Sequence, residues 1–202
     1  RNFGIEADFL PYYPPSERVE EVESIRERRE EQPSAPNEAS KFLVFGNVNN
    51  PMTREGTIES MRLLREVPTI ASGFTVDIAG YGTDRFADDL GDIDGFRVHG
   101  KVSPAKLEDL MAETQAQLIH QKRGVGALTR IPEALLAGVP VIANAQAARS
   151  ATQYHGVYVY DGLQDLRELL QTFLPVPPPP PRPEAHEDRF VAALCDLAEK
   201  SP

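Results

Sequence analysis

Residues 124–144 read GVGALTRIPEALLAGVPVIAN, and this stretch decides how the rest of the chain is read. A glycine-spaced loop, Gly124-Val125-Gly126, runs into a short helix with Pro132 and Glu133 in its first turn. Gly138 ends that helix, Pro140 prevents its restart, and Val141-Ile142-Ala143 reads as a buried strand. Free backbone N–H groups at a helix start favour anions, and glycines let a ligand come close. A carboxylate there suits a vicinal diol such as a ribose. The same residues also describe a plain loop–helix–strand unit, since acidic residues are common in first turns.

The chain has 202 residues, enough for one good core with peripheral segments. Hydrophobic residues make up 41%, which fits a globular domain. No apolar run approaches the roughly 20 residues of a membrane span, and no secretory signal is visible. The chain opens on Arg1 rather than Met and reads as an excised or processed piece. A lone cysteine, Cys195, excludes an internal disulfide framework and suits a reducing, cytoplasmic compartment. The net charge of −10 argues against nonspecific nucleic-acid binding, which needs a basic face. A phosphate-bearing small ligand needs only a few local cations and is compatible with it.

Four segments follow from composition. Residues 1–40 form an approach and linker. Within it DFLPYYPP (8–15) reads as an extended piece ending in a turn, Ser16–Glu31 as an exposed helix capped by Ser16, and 32–40 as a linker. In that helix Val19, Val22 and Ile25 form a narrow apolar stripe, and Arg26 can pair with Glu30. Residues 41–174 alternate strand and helix. Strands are expected at 42–45, 74–79, 96–99, 116–120, 139–143 and 157–160. Helices are expected at 53–67, 83–90, 104–113, 130–137, 146–154 and 163–173. The strands lack a two-residue alternation, as when helices cover both faces of a parallel sheet. Six β-α units imply an α/β fold, a doubly wound Rossmann-like sheet of about six strands. Residues 175–183 hold seven prolines in nine positions and read as a stiff spacer. Residues 184–202 read as a final helix with Phe190, Ala193, Leu194 and Leu197 on one face.

In a doubly wound sheet, ligands sit outside the carboxyl ends of the strands, so the loops there are the candidates. The first is Gly46-Asn47-Val48-Asn49-Asn50-Pro51, with Thr53 or a neighbour as helix cap. The second, Gly80-Tyr81-Gly82, permits a tight turn and a close approach. The third is His99-Gly100-Lys101-Val102-Ser103-Pro104, where Ser103 as cap and Pro104 at the first helical position make a clean helix start. Backbone groups of Lys101 and Val102 suit a nucleobase edge, and His99 reads as a strand residue with a satisfied ring. The fourth runs from His120 through Lys122, Arg123, Gly124 and Gly126 to Thr129 and Arg130. Lys122, Arg123 and Arg130 form the best basic cluster in an acidic chain, as a diphosphate requires. Arg130 could instead pair with Glu133 within the first turn. Metal-ligand spacing, a G-x-S-x-G elbow and a Walker A pattern are all absent.

Taken in order, FLVFGNV, FTVDIAGYG, FRVHGKVSPAKLEDLM, AQLIHQ and GVGALTRIPEALLAGVPVIAN resemble the C-terminal, donor-binding half of GT-B glycosyltransferases of the family-four, glycosyl-transferases-group-1 kind. The resemblance covers about residues 41–174. It implies that Glu133, matching the second glutamate of an E-x7-E motif, binds the ribose of a nucleotide. It also implies that the glycine loop approaches the donor sugar and diphosphate, and that Gly100–Val102 hold the base. The final helix resembles the one that crosses back to the N-terminal half. Three positions depart from the family pattern: Val125 replaces the first glutamate of E-x7-E, Asn47 the usual Arg after the first strand, and Glu55, before Gly56, the usual Lys. The diphosphate cations are then expected to be Arg130 with Lys122 or Arg123.

The resemblance implies a metal-independent hexosyltransferase of polysaccharide biosynthesis, here its donor half. It would need no cofactor and would take a UDP- or GDP-type nucleotide sugar as substrate. A carbohydrate or lipid-linked acceptor, and any general base, would be supplied by a missing N-terminal domain. The full-length protein would be cytoplasmic, at the periphery of a membrane. Two other readings stand beside it: a nucleotide-sugar epimerase on the same fold, and a non-catalytic pseudo-glycosyltransferase or flavodoxin-like interaction module.

Overall fold

The computed structural model describes residues 10–31, 40–67, 74–90, 93–124 and 126–199. Asp8, Phe9, residues 32–39, Val125 and Lys200 lie outside them, as does the Leu197 side chain. Six strands, β1 (Lys41–Phe45), β2 (Thr75–Ala79), β3 (Phe96–Gly100), β4 (Ala116–Ile119), β5 (Val141–Asn144) and β6 (Val157–Tyr160), form one sheet. Their order is β3-β2-β1-β4-β5-β6 and every pairing is parallel. This is the doubly wound arrangement expected. The strand order reverses between β1 and β4, which opens a crevice at their carboxyl ends.

Helices cover both faces, so successive strand residues face two separate cores. Phe42 and Val44 of β1 pack with Met61 and Leu64 of α2 (Pro51–Arg65) and Leu166 and Leu170 of α7 (Leu163–Gln171). Leu43 faces the other way. It joins Leu110 and Met111 of α4 (Pro104–Glu113), Ile131 and Leu135 of α5 (Arg130–Leu136), and Val22 and Ile25 of α1 (Ser16–Glu31). The Thr83–Leu90 helix splits into a 3-10 turn, Thr83–Phe86, and a short α3, Ala87–Leu90.

Three local expectations change. The helix expected at 146–154 is one turn, α6 (Ala145–Ala148). Beyond it the chain closes three-residue turns from Ala151 N–H to the Ala148 carbonyl and from Tyr154 N–H to the Ala151 carbonyl. The cap of α2 is Asn50, whose side chain accepts from the N–H groups of Met52 and Thr53, with Pro51 at the first helical position. Ser103 does cap α4, accepting from Lys106 N–H at 3.2 Å.

The third change concerns α1, which is not an exposed helix. Ser16 is its first residue rather than its cap. Val22 and Ile25 are 1% and 2% exposed, and Arg29 is buried with them. Arg29 donates to the carbonyls of Gly138, Met111, Ala112 and Thr114, and Arg26 to those of Leu135, Leu136 and Pro177. Carbonyls at the carboxyl ends of α4 and α5 gain donors this way, the Leu135 carbonyl in addition to the Gly138 N–H. Cations are also favoured at that pole of a helix. Arg26 keeps its expected pairing with Glu30 at 3.3 Å.

The proline-rich segment lies against this junction. Val176 packs over Gly138, Pro177 packs over Gly156, and Arg182 stands 6.0 Å from the Tyr13 ring centroid. Beyond it α8 (Glu184–Glu199) leaves Phe190, Val191 and Leu194 half exposed.

Gly56 fixes how closely α2 approaches β4. A Cβ at this position would stand 2.0 Å from the His120 carbonyl oxygen. Alanine ordinarily stabilises a helix interior by about 1 kcal/mol over glycine. Here backbone must move, so Gly56→Ala is expected to destabilise the protein by about 1–3 kcal/mol. Urea unfolding at unchanged m-value checks the sign.

Candidate functional site

A cleft of about 1030 Å³ lies at the carboxyl ends of β1, β2 and β3. A small-molecule site commonly has this size and setting. Its floor is made by Gly46 and Asn47 after β1, Gly80 and Tyr81 after β2, and Lys101 to Pro104 after β3. Its walls are Leu107, Glu108 and Met111 of α4 and Arg18, Glu21 and Ile25 of α1.

The floor is built from backbone. The N–H of Gly46 donates to the Ala79 carbonyl, that of Val48 to Tyr81, and that of Gly80 to Gly100. Gly80 has φ 122°, and a Cβ there would stand 2.1 Å from the Gly46 carbonyl oxygen. Only glycine allows the first two loops to close together like this. The Asn47 side chain folds its own loop, accepting from Asn49 N–H at 3.0 Å. The Lys101 ammonium stands 5.0 Å from the centre of the Tyr81 ring, a cation–π contact at the mouth of the cleft. His99 is satisfied, as expected, by Asp77 at 2.5 Å.

Five of the expected site residues, Gly46, Asn47, Gly80, Lys101 and Val102, line this cleft. Gly82 and Gly100 lie beside it, Gly82 against Asn49 and Arg85 and Gly100 against Asp84. The remaining five, Gly124, Gly126, Thr129, Arg130 and Glu133, belong to the loop after β4 and the start of α5. Asn144 joins that loop to β5, accepting from Gln121 N–H and donating to the Gln121 carbonyl. Gln146 donates to the Gly124 carbonyl at 3.2 Å, and Arg149 donates to the Gly126 carbonyl and to Gln121 Oε1. Thr129 precedes α5 without capping it through its side chain.

Arg130 does not pair with Glu133. It crosses the β1–β4 crevice, and its Nη1 donates to the Phe45 carbonyl at 3.0 Å. The same Nη1 lies 2.8 Å from where a Cβ on Gly46 would stand. Among the described residues its buried Nε has no hydrogen-bond partner. Burial lowers the guanidinium's pKa to about 10, which leaves it charged at neutral pH. Glu133 turns the other way, accepting from Tyr12 Oη at 3.1 Å and from Arg18 Nε at 3.2 Å.

Lys122 and Arg123 do not join Arg130. Lys122 pairs with Glu59 at 2.8 Å and Arg123 with Glu55 at 2.5 Å, both carboxylates of α2. Their charges are answered locally; like Gly124, Gly126, Thr129, Arg130 and Glu133, they are not among the residues that line the cleft. Sequence reading missed Tyr81, Arg18, Glu21 and the α4 wall. Arg18 acts on a residue 115 positions away, a contact that chain spacing does not reveal.

Hydrogen bonds from Arg62, then from Lys122, lower the Glu59 pKa from 4.5 to about 2. A depressed folded-state pKa stabilises the fold above the unfolded value, and this is lost as pH falls through the folded value. The stability difference between the wild type and Glu59→Gln is therefore expected to shrink as pH falls from 4.5 toward 2. Denaturant unfolding at pH values spanning this window checks it. A flat difference contradicts the assignment.

No family model and no curated protein matches the chain. Solved structures do. WaaG, a glycosyltransferase involved in lipopolysaccharide biosynthesis, matches with a TM-score of 0.58 at 20% identity, over 80% of this chain and 45% of its own. AviGT4, a glycosyltransferase involved in avilamycin A biosynthesis, matches at 0.55 and 19%, over 83% and 55%. HepE of Anabaena, in complex with UDP and glucose, matches at 0.50 and 15%, over 78% and 42%. The chain thus spans about half the length of these proteins. Among its described residues no helix is long and apolar enough to cross a membrane. The sheet order and these likenesses agree: the chain has the fold of a GT-B glycosyltransferase domain.

Proposed function

We propose that this chain is the donor-binding part of a glycosyltransferase. The nucleoside diphosphate end of a nucleotide sugar would lie along the strand-end cleft, with its sugar toward the glycine loop. The observation that carries this reading is Arg130. Among the described residues its buried Nε has no partner and its Nη1 donates to a carbonyl, and it lies against Gly46 where the strand order reverses. Holding an unpaired cation out of water is costly unless an anion completes it. A diphosphate is such an anion, and a guanidinium can bind it through two parallel hydrogen bonds.

The other roles follow from position. Lys101 and Val102 offer backbone groups to the base edge, and Tyr81 offers a ring face. Glu133 accepts the ribose hydroxyls. Gly124 and Gly126 let the sugar and diphosphate approach backbone. As the bond from the sugar to the diphosphate breaks, negative charge grows on the leaving phosphate. Arg130 is already in place to stabilise it, without reorganisation at that moment. The acceptor, whose hydroxyl takes the sugar, and the base that deprotonates that hydroxyl would be held by a part of a longer protein outside this chain.

The ion pair of Glu55 with Arg123 favours a second reading, a non-catalytic interaction module. A carboxylate, already satisfied, stands where the resemblance expects a diphosphate-binding lysine. Calorimetric titration of the chain with UDP, GDP and ADP separates the two. The first reading expects one of them to bind. Arg130→Gln then weakens the diphosphate about tenfold or more and leaves the corresponding nucleoside unchanged. Glu133→Ala weakens both by about 1–3 kcal/mol. Absence of binding by all three nucleotides at millimolar concentration overturns the donor-site reading.

A further inference from the structure

The segment before the sheet carries chemistry that neither the resemblance nor the proposed function assigns. Tyr12 and Arg18 each donate one hydrogen bond to Glu133, to different oxygens: Tyr12 Oη to Oε1 at 3.1 Å and Arg18 Nε to Oε2 at 3.2 Å. Both donors are themselves held. Arg18 Nη1 donates to Glu21 at 2.8 Å, and Arg18, Glu21 and Ile25 line the wall of the cleft. Pro11 and Tyr12 lie beside Ala127, Leu128 and Pro132 at the start of α5. Pro14 and Pro15 restrict the backbone that follows Tyr12. Burial first, and then the charge of Glu133, raises the Tyr12 pKa, so the hydroxyl keeps the proton it donates.

An ionised carboxylate accepts about four hydrogen bonds, two on each oxygen. Tyr12 and Arg18 take one on each, leaving one on each. Two adjacent acceptors on one rigid carboxylate are what a vicinal diol needs. A glutamate without these donors would sample several rotamers and present that pair only part of the time.

We infer that Tyr12 and Arg18 are positioning residues that lock Glu133 as a two-point acceptor for a vicinal diol, making the site selective for ribonucleotides over 2′-deoxyribonucleotides. This rests on the donor-site reading above. The opposite role, a plug that a ligand must displace, predicts tighter binding when either donor is removed.

The test titrates the chain with UDP and 2′-deoxy-UDP, and with GDP and 2′-deoxy-GDP. Wild type is expected to prefer the ribose form by about tenfold, the worth of one hydrogen bond to a charged acceptor. Arg18→Ala and Tyr12→Phe are expected to reduce that preference to about twofold or less by weakening the ribose form alone. A purely structural role would weaken both forms equally and leave the ratio unchanged. Tyr12→Phe removes only a hydroxyl, so it carries the test should Arg18→Ala unfold. Variants that keep the wild-type ratio, or bind more tightly than wild type, overturn the inference and leave the donor-site reading standing. A wild type that binds none of the four nucleotides overturns both.

Discussion

The strand ends at the β1–β4 seam are arranged around one guanidinium, that of Arg130, which has no carboxylate partner among the described residues. The reversal of strand order between β1 and β4 leaves two strand ends with no shared loop to join them. Arg130 spans that gap, reaching from the start of α5 to the last carbonyl of β1. Gly46 must be small to leave room for it, and Gly80 must be small to leave room for Gly46. A cation in this place is a poor structural tie, because one carbonyl does not offset the loss of its hydration. Its burial is a cost that the rest of the fold sustains, and the proposed function gives it an anion to bind.

That cost is sustained partly by α1, which the composition of the chain disguises. Glutamates and arginines make up most of the helix, and its apolar stripe is short. Its binding to the domain depends on two arginines whose guanidinium groups collect the carbonyls at the ends of α4 and α5. The helix docks by donating to backbone carbonyls at these helix ends, and Val22 and Ile25 add a narrow apolar seal. The docked helix forms a wall of the cleft and brings Arg18 to Glu133. A segment that looks like a linker therefore lines the candidate cleft.

The doubly wound architecture was legible because it rests on local patterns. Runs such as Phe42–Phe45 and Val141–Ala143 are apolar without alternation, and Ser103-Pro104 announces a helix start. The glycine loops were legible for the same reason, since chain geometry demands that residue type. Side-chain partners were not. Arg130 and Glu133 are three positions apart and looked like a pair, yet each is engaged by a residue more than 80 positions away. Lys122 and Arg123 sit beside the glycine loop in the chain, but α2 presents Glu59 and Glu55 to them first. Charge pairing is decided by which surfaces the fold brings together, and sequence proximity does not encode that.

The seven prolines of residues 175–183 settle a different kind of question. Among the described residues this segment is anchored by Val176 over Gly138, by Pro177 over Gly156 with its carbonyl on Arg26, and by Arg182 over Tyr13. An ordinary chain tethered so sparsely would give up much backbone freedom for little return. Proline rings have surrendered most of that freedom before folding begins, because φ is already set. Ordering the segment therefore draws little on the conformational entropy of the unfolded state. A handful of contacts suffices to carry the chain from α7 to α8 along one fixed path.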